Sequence, residues 1–180
     1  EKEELWYQRT FDVPSAWRGK QILLHFGAVD WKAEVWVNDV KVGEHTGGFT
    51  PFYFDITSVL NKGNNDLVVK VWDPSDRGEQ PRGKQIANPH GIWYTPVTGI
   101  WQTVWLEPVA TQYITNLKTT PDIDNNSVKV EVAANTTSAD KVEVKVFDGK
   151  NLVAKGAALN GVPVELAMPA NAKLWSPDSP

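Results

Sequence analysis

The chemistry-bearing residues of this chain concentrate in residues 73–94, DPSDRGEQPRGKQIANPHGIWY. Asp73, Arg77, Arg82, Lys84, Gln85 and His90 supply hydrogen-bond donors, acceptors and charge. Trp93 and Tyr94 close the segment with two flat rings. That mixture suits a sugar, which needs partners for its hydroxyls and a flat surface for its C–H face. A competing reading has Arg82 and Lys84 capping loop carbonyls, with the two rings as rim packing. Neither strand nor helix periodicity runs through these roughly twenty residues, and structureless loops of that length in compact domains are usually functional or disordered. The three histidines, His25, His45 and His90, lie far apart in sequence, so a histidine-based metal site is not expected. No cofactor is expected either.

The stretch that follows, GIWYTPVTGIWQTVWLE over residues 91–107, raises the same question in another form. From Ile100 onward it alternates, with Ile100, Gln102, Val104 and Leu106 on one side and Trp101, Thr103 and Trp105 on the other. A strand with large residues on both faces must be covered twice or must offer one face to a ligand.

The elements that would position these residues read as strands. Within the first 110 residues they fall at 5–11, 21–26, 33–37, 40–42, 52–55, 67–72 and 100–106. Asn38-Asp39 forms a tight hairpin, and Gly47-Gly48 permits positive φ before Phe49. Residues 55–60 make a single helical turn capped by Asp55 or Thr57. On the strand patterns, Trp36 and Trp72 fall opposite the apolar series and read as a second packed face. Eight of the nine tryptophans lie before residue 110. Beyond it, Val128, Val130 and Val132 alternate with charged residues, as do Val142, Val144 and Val146, which is the mark of antiparallel strands with one wet face. Asp148-Gly149 supplies the hairpin turn after the second set. The predicted fold is all-β, two sandwiches in tandem, with domains at 1–110 and 111–180.

Composition excludes several functions. With 18 basic and 22 acidic residues in 180, and no long basic cluster, no nucleic-acid partner is expected. No apolar run approaches the roughly 18 residues of a membrane span, and no membrane partner is expected. No signal peptide is expected from the opening Glu1-Lys2-Glu3-Glu4, which says little if a longer chain precedes it, and the absence of cysteine excludes disulfides. Asp122-Ile123-Asp124-Asn125-Asn126 starts like a calcium loop, but Ser127 stands where glycine is needed and Ala133 where glutamate is needed, so a polar hairpin is expected. Two glycosylation sequons, at Asn125 and Asn135, matter only in a eukaryotic secretory route.

Leu5-Trp6-Tyr7-Gln8-Arg9-Thr10-Phe11, Val29-Asp30-Trp31-Lys32-Ala33-Glu34-Val35-Trp36-Val37-Asn38, Gly47-Gly48-Phe49-Thr50-Pro51-Phe52, Pro81-Arg82-Gly83-Lys84-Gln85 and Gly99-Ile100-Trp101-Gln102-Thr103-Val104-Trp105 occur in that order. Together they resemble the sugar-binding domain of family 2 glycoside hydrolases, of the bacterial β-galactosidase or β-glucuronidase kind. Residues 111–180, ending Leu174-Trp175-Ser176-Pro177-Asp178-Ser179-Pro180, resemble that family's immunoglobulin-like second domain.

The resemblance implies a jelly-roll, galactose-binding-like β-sandwich followed by an incomplete immunoglobulin-like β-sandwich. It implies that a TIM-barrel domain carries the two catalytic glutamates of a retaining mechanism. None of Glu34, Glu44, Glu79, Glu107, Glu131, Glu143 and Glu165 matches either catalytic motif, so this chain is expected to be inactive alone. It reads as an excised piece, whose partners would be the absent barrel and a carbohydrate substrate; the alternatives are a stand-alone carbohydrate-binding module and a purely structural scaffold. A bacterial periplasmic or extracellular setting is favoured over a cytoplasmic one. Set in this pattern, residues 100–107 read as a doubly covered strand with Trp101 and Trp105 as packing, and sugar contact is expected in the preceding loop. Open sheet edges in a shortened second domain would promote self-association.

Overall fold

The computed structural model describes residues 4–178. The chain separates into two compact units, Glu1–Thr111 and Gln112–Pro180, both built almost wholly of antiparallel strands. Ser179 and Pro180, the end of the tryptophan-containing motif, and Glu1 to Glu3 lie outside the described residues.

In the first unit the strands are β1 (Glu4–Phe11), β2 (Gln21–Phe26), β3 (Val29–Asp30), β4 (Lys32–Val37), β5 (Val40–Thr46), β6 (Phe52–Asp55), β7 (Asn65–Trp72), β8 (Gly99–Ile100) and β9 (Val104–Val109). Strand β5 runs four residues beyond its expected end. A four-stranded sheet, ordered β1-β7-β4-β5, faces a three-stranded sheet, β6-β2-β9, while β3 and β8 pair separately. Alternation determines which side chains meet between them. Ala33, Val35 and Val37 of β4 and Val69 and Val71 of β7 pack against Ile22, Leu24 and Phe26 of β2 in one buried cluster. Each of these Val, Ile, Leu and Phe side chains contributes about 1.5–3 kcal/mol on burial.

Turn chemistry behaves as its residues dictate. Asn38 and Asp39 take φ of 50° and 65° between Val37 and Val40, the conformation a two-residue hairpin requires. Asn38 also donates from Nδ2 to Asn65 Oδ1 and to the Val59 carbonyl, both at 2.8 Å, tying the hairpin to the start of β7. The turn after β6 is a 3-10 turn, Thr57–Val59, and the Asp55 carboxylate accepts the Thr57 N–H at 2.9 Å.

Two expectations fail here. The strand expected at 100–106 is interrupted. Its partner breaks between β2 and β3, so the N–H groups of Trp101 and Gln102 both approach the Ala28 carbonyl, while Gly27 donates to Thr103 O at 2.9 Å. Two residues opposite one is a bulge, and it turns the side chains out of register. As a result Trp101 and Trp105 are 49% and 43% exposed rather than packed. The second packed face predicted around Trp36 and Trp72 is also not covered. Trp36 stacks on exposed Trp6 at 5.9 Å, with Lys70 and Lys41 over the two rings, and Trp72 is exposed. On this face Lys41 bridges Glu34 and Glu44 and Lys70 meets Glu4.

The second unit contains β10 (Ile114–Asp122), β11 (Ser127–Ala134), β12 (Lys141–Asp148), β13 (Asn151–Leu159) and β14 (Val164–Ala167). Its sheets are β10-β11-β14 and β12-β13. Val130, Val132, Val164 and Leu166 form its core, with Val142, Val144 and Val146 packed against them. The Asp122 carboxylate accepts from Asn125 N and Nδ2 at 3.0 and 2.8 Å, and these bonds hold it below the usual carboxylate range. The calcium-like segment is thus a polar hairpin between β10 and β11.

Each unit leaves an apolar groove open. In the first it measures about 580 Å³ and includes Tyr7, Phe11, Leu24, Val69, Val104 and Leu106. In the second it measures about 490 Å³ and includes Leu117, Val128, Val144, Phe147 and Leu174.

Candidate functional site

The long loop begins as β7 ends, and a buried carboxylate fixes both of its ends. Asp73, 5% exposed, accepts the Ser75 N–H on Oδ1 at 2.8 Å and the Thr98 hydroxyl on Oδ2 at 2.6 Å. Within the loop, Arg82 Nη1 donates to the Asp76 carbonyl at 2.6 Å, and Asp76 Oδ2 accepts from Ala87 N at 3.0 Å. Tyr94 N donates to Lys84 O at 2.7 Å and Ile86 N to Tyr94 O at 3.1 Å, making a bridge between Gln85 and Tyr94. Gln85 Oε1 accepts the Val97 N–H. His90 Nδ1 lies 2.8 Å from Asn88 O, so Nδ1 carries the proton. The segment has almost no regular structure, yet backbone and side-chain hydrogen bonds cross it at several points.

The eight residues singled out from the sequence therefore separate by position. Asp73, Arg82 and Gln85 turn inward and hold the loop, and they line one small cavity with Asp30, Ser75 and Pro81. Arg82 makes the carbonyl contact of the competing reading. Arg77, Lys84, His90, Trp93 and Tyr94 are exposed on the outer side of the loop.

Sequence reasoning missed a second cluster, beside the loop's return to β8. Asp30 ends β3, and Gly48 packs directly over it, since a Cβ there would sit 2.6 Å from Asp30 Oδ1. The next residue, Phe49, meets Trp101 edge to face at 6.0 Å and 71°. Trp101 Nε1 donates to Gly48 O at 2.7 Å, which fixes the indole plane. On one side of this aromatic corner is a cavity of about 250 Å³ that includes Asp30, Gln85 and Thr98. On the other is a shallower one of about 610 Å³ that includes Pro51, Gln102 and Trp105. Trp105 in turn stacks flat on His25 at 4.8 Å, and Glu107 Oε2 approaches His25 Nε2 at 2.8 Å. The one sequence signal for Asp30 was an acid between Val29 and Trp31, where the pattern is otherwise apolar.

Burial first, and the neighbouring Asp73 carboxylate second, push the Asp30 carboxyl up to about 6. A carboxyl raised in the fold binds its proton more tightly there than in the unfolded chain. Its stabilising effect is complete below the unfolded value of 3.8 and is lost as pH rises through about 6. Asp30→Asn is therefore expected to raise the melting temperature at pH 7 relative to the parent and to leave it unchanged near pH 3.5. Because water reaches the group, the gain is on the order of 1 kcal/mol. Thermal melts of both proteins across this range check it, and equal shifts at both pH values would refute it.

These observations define a β-sandwich domain: two facing antiparallel sheets with a pinned loop and an aromatic corner beside it. Residues 1–107 match the family described as glycosyl hydrolases family 2, sugar binding domain, and the chain belongs to that family. It is 35% identical over 149 residues to a β-galactosidase of Thermoanaerobacter pseudethanolicus, an alignment covering 82% of this chain and 19% of that enzyme. It is 27% identical over 197 residues to human β-glucuronidase, covering 96% of this chain and 30% of the other. Among solved structures, Ruminococcus gnavus β-glucuronidase in complex with D-glucaro-d-lactam superposes with a TM-score of 0.77 at 26% identity, over 98% of this chain and 32% of that one. The chain thus spans less than a third of the length of each of these relatives.

Proposed function

We propose that these two units are the non-catalytic, sugar-binding and immunoglobulin-like part of a family 2 glycosidase, one that hydrolyses O-glycosidic bonds in the manner of a β-galactosidase. They buttress the barrel of that enzyme and direct residues 73–94 toward its active-site rim. The observation that carries this reading is the loop itself. Its inward residues consume their hydrogen bonds in holding its shape, while Arg77, Lys84, His90, Trp93 and Tyr94 remain outward. A rigid loop presenting cations, an imidazole and two rings can position a terminal sugar without taking part in bond cleavage.

The open apolar grooves of both units offer further chain a surface to pack against, in keeping with the buttress role. The two-stranded sheet β12-β13 has a free edge on each strand, which supports self-association through the second unit. A concentrated sample is then expected to sediment as dimers or larger species, and a clean monomer would contradict this. None of the glutamates singled out from the sequence matches a catalytic motif of that family, and we assign the catalytic pair to the barrel.

The 180-residue chain is expected to leave aryl β-galactosides and β-glucuronides uncleaved. Lys84→Ala in an enzyme carrying the barrel is expected to raise KM several-fold with kcat little changed. Turnover by the isolated chain, or an unchanged KM, would overturn the proposal.

A further inference from the structure

Outside the loop, the strongest unassigned feature is the corner between Phe49 and Trp101. Both rings are about half exposed, yet neither is loose. The Nε1–H bond to Gly48 O holds the indole, and the edge contact holds the phenyl ring against it. Beneath them is the Asp30 carboxylate, whose oxygens accept no hydrogen bond from any described residue. Its neighbour Asp73 is satisfied by Ser75 and Thr98. A half-buried acceptor without a donor, next to a fixed aromatic face, is complementary to a ring with hydroxyls on its edge and C–H groups on its face.

We propose that this corner is a subsite for a neutral disaccharide, with one pyranose ring on the Asp30 side of Trp101 and the second across the indole toward Trp105. The first cavity, about 250 Å³, lies below the roughly 300–1,000 Å³ of drug-sized sites, so it accepts a single ring. There the sugar hydroxyls donate to Asp30, and the Gln85 side chain lies on the same wall. The second cavity is shallow and walled by Trp105 and Pro51, which suits stacking. Charge selects the ligand: two adjacent carboxylates, Asp30 and Asp73, oppose a uronate and favour an uncharged sugar. The site is distinct from the outward side of the loop, and its failure would leave the loop proposal standing.

The test is titration of the 180-residue chain with lactose and cellobiose, read by calorimetry and by the indole Nε1–H signals in NMR. Millimolar binding is expected, with the Trp101 signal shifting and that of Trp175, in the second unit, unmoved. Trp101→Ala and Asp30→Asn should each weaken binding about tenfold, and Trp175→Ala should not. Trp101→Phe, which keeps a flat ring, should retain part of the affinity and guards against misfolding as the cause of loss. Glucuronic acid should bind at least tenfold more weakly than either disaccharide. Absence of binding at the solubility limit would overturn the proposal and mark the corner as a surface for other chain. Full affinity in Trp101→Ala would also overturn it.

Discussion

Gly99→Val is expected to destabilise the first unit by roughly 2–6 kcal/mol, the largest effect of any single substitution near the loop. Two costs combine. Gly99 sits at φ 116°, a region essentially closed to a β-branched residue, and such strain costs about 1–3 kcal/mol. A Cβ there would also overlap the Tyr7 hydroxyl and press on Leu5 Cδ1 at 3.3 Å, and overpacking adds about 1–3 kcal/mol. The Tyr7 oxygen accepts the Ile100 N–H at 3.3 Å, so its displacement would also disturb the β3-β8 pair that carries Asp30. Urea unfolding followed by tryptophan emission measures this, because every tryptophan except Trp175 lies in the first unit. Gly63→Ala is the control, since nothing lies within 4 Å of a Cβ there. Equal midpoints for the two variants would contradict the assignment.

Asp73→Ala is expected to cost roughly 2–4 kcal/mol and to free the loop. The carboxylate bonds an N–H at one end of the segment and a hydroxyl at the other, and hydrogen bonds to charged groups are worth about 1.5–3 kcal/mol. Its loss leaves the Ser75 N–H and the Thr98 hydroxyl in a buried corner without that acceptor. Limited proteolysis should then cut first at Arg77 or Lys84, well before the sheets open. Asp73→Asn keeps an acceptor for Ser75 and should show a smaller loss. It also removes one of the two causes that raise Asp30, burial being the larger, so the Asp30 carboxyl should titrate lower but still above its unfolded value. Protection of the loop equal to that of the parent protein would refute the anchoring role.

Much of the fold was legible because it rests on local chemistry. Period-two alternation placed β2, β4 and β7, and Asn38-Asp39 fixed the β4-β5 hairpin. What could not be read was the state of the partner strand. Residues 100–106 alternate cleanly, yet β2 and β3 break opposite them, and the bulge this forces exposes Trp101 and Trp105. A single strand's pattern carries no record of a fault in its neighbour. The same limit applied to Trp36 and Trp72. Large residues opposite the apolar series imply cover by another layer, but here Trp36 stacks on Trp6, with Lys41 over the Trp36 ring and Lys70 over the Trp6 ring.

The site was legible in composition and illegible in geometry. The loop's residue types pointed to sugar chemistry, but nothing in their order told Asp73 and Arg82, which hold the loop, from Lys84 and Trp93, which face outward. Asp30 and Phe49 are distant from the loop in sequence. They join it only through the close approach at Gly48 and the short β3-β8 pair. Trp101, whose strand pattern read as packing, instead stands half exposed in the open corner.

The central claim, that the outward side of the loop helps to bind substrate while the chemistry takes place in a barrel, is tested most directly by one kinetic comparison. The 180 residues would replace the matching segment of the Thermoanaerobacter β-galactosidase, the relative that is 35% identical. Steady-state rates for this chimera would be compared with those of the same protein carrying Trp93→Ala and Tyr94→Ala. The account predicts that KM rises about tenfold with kcat within a few-fold of the parent, as expected for lost binding without lost chemistry. Identical KM and kcat in both proteins would contradict it and leave the two units a scaffold.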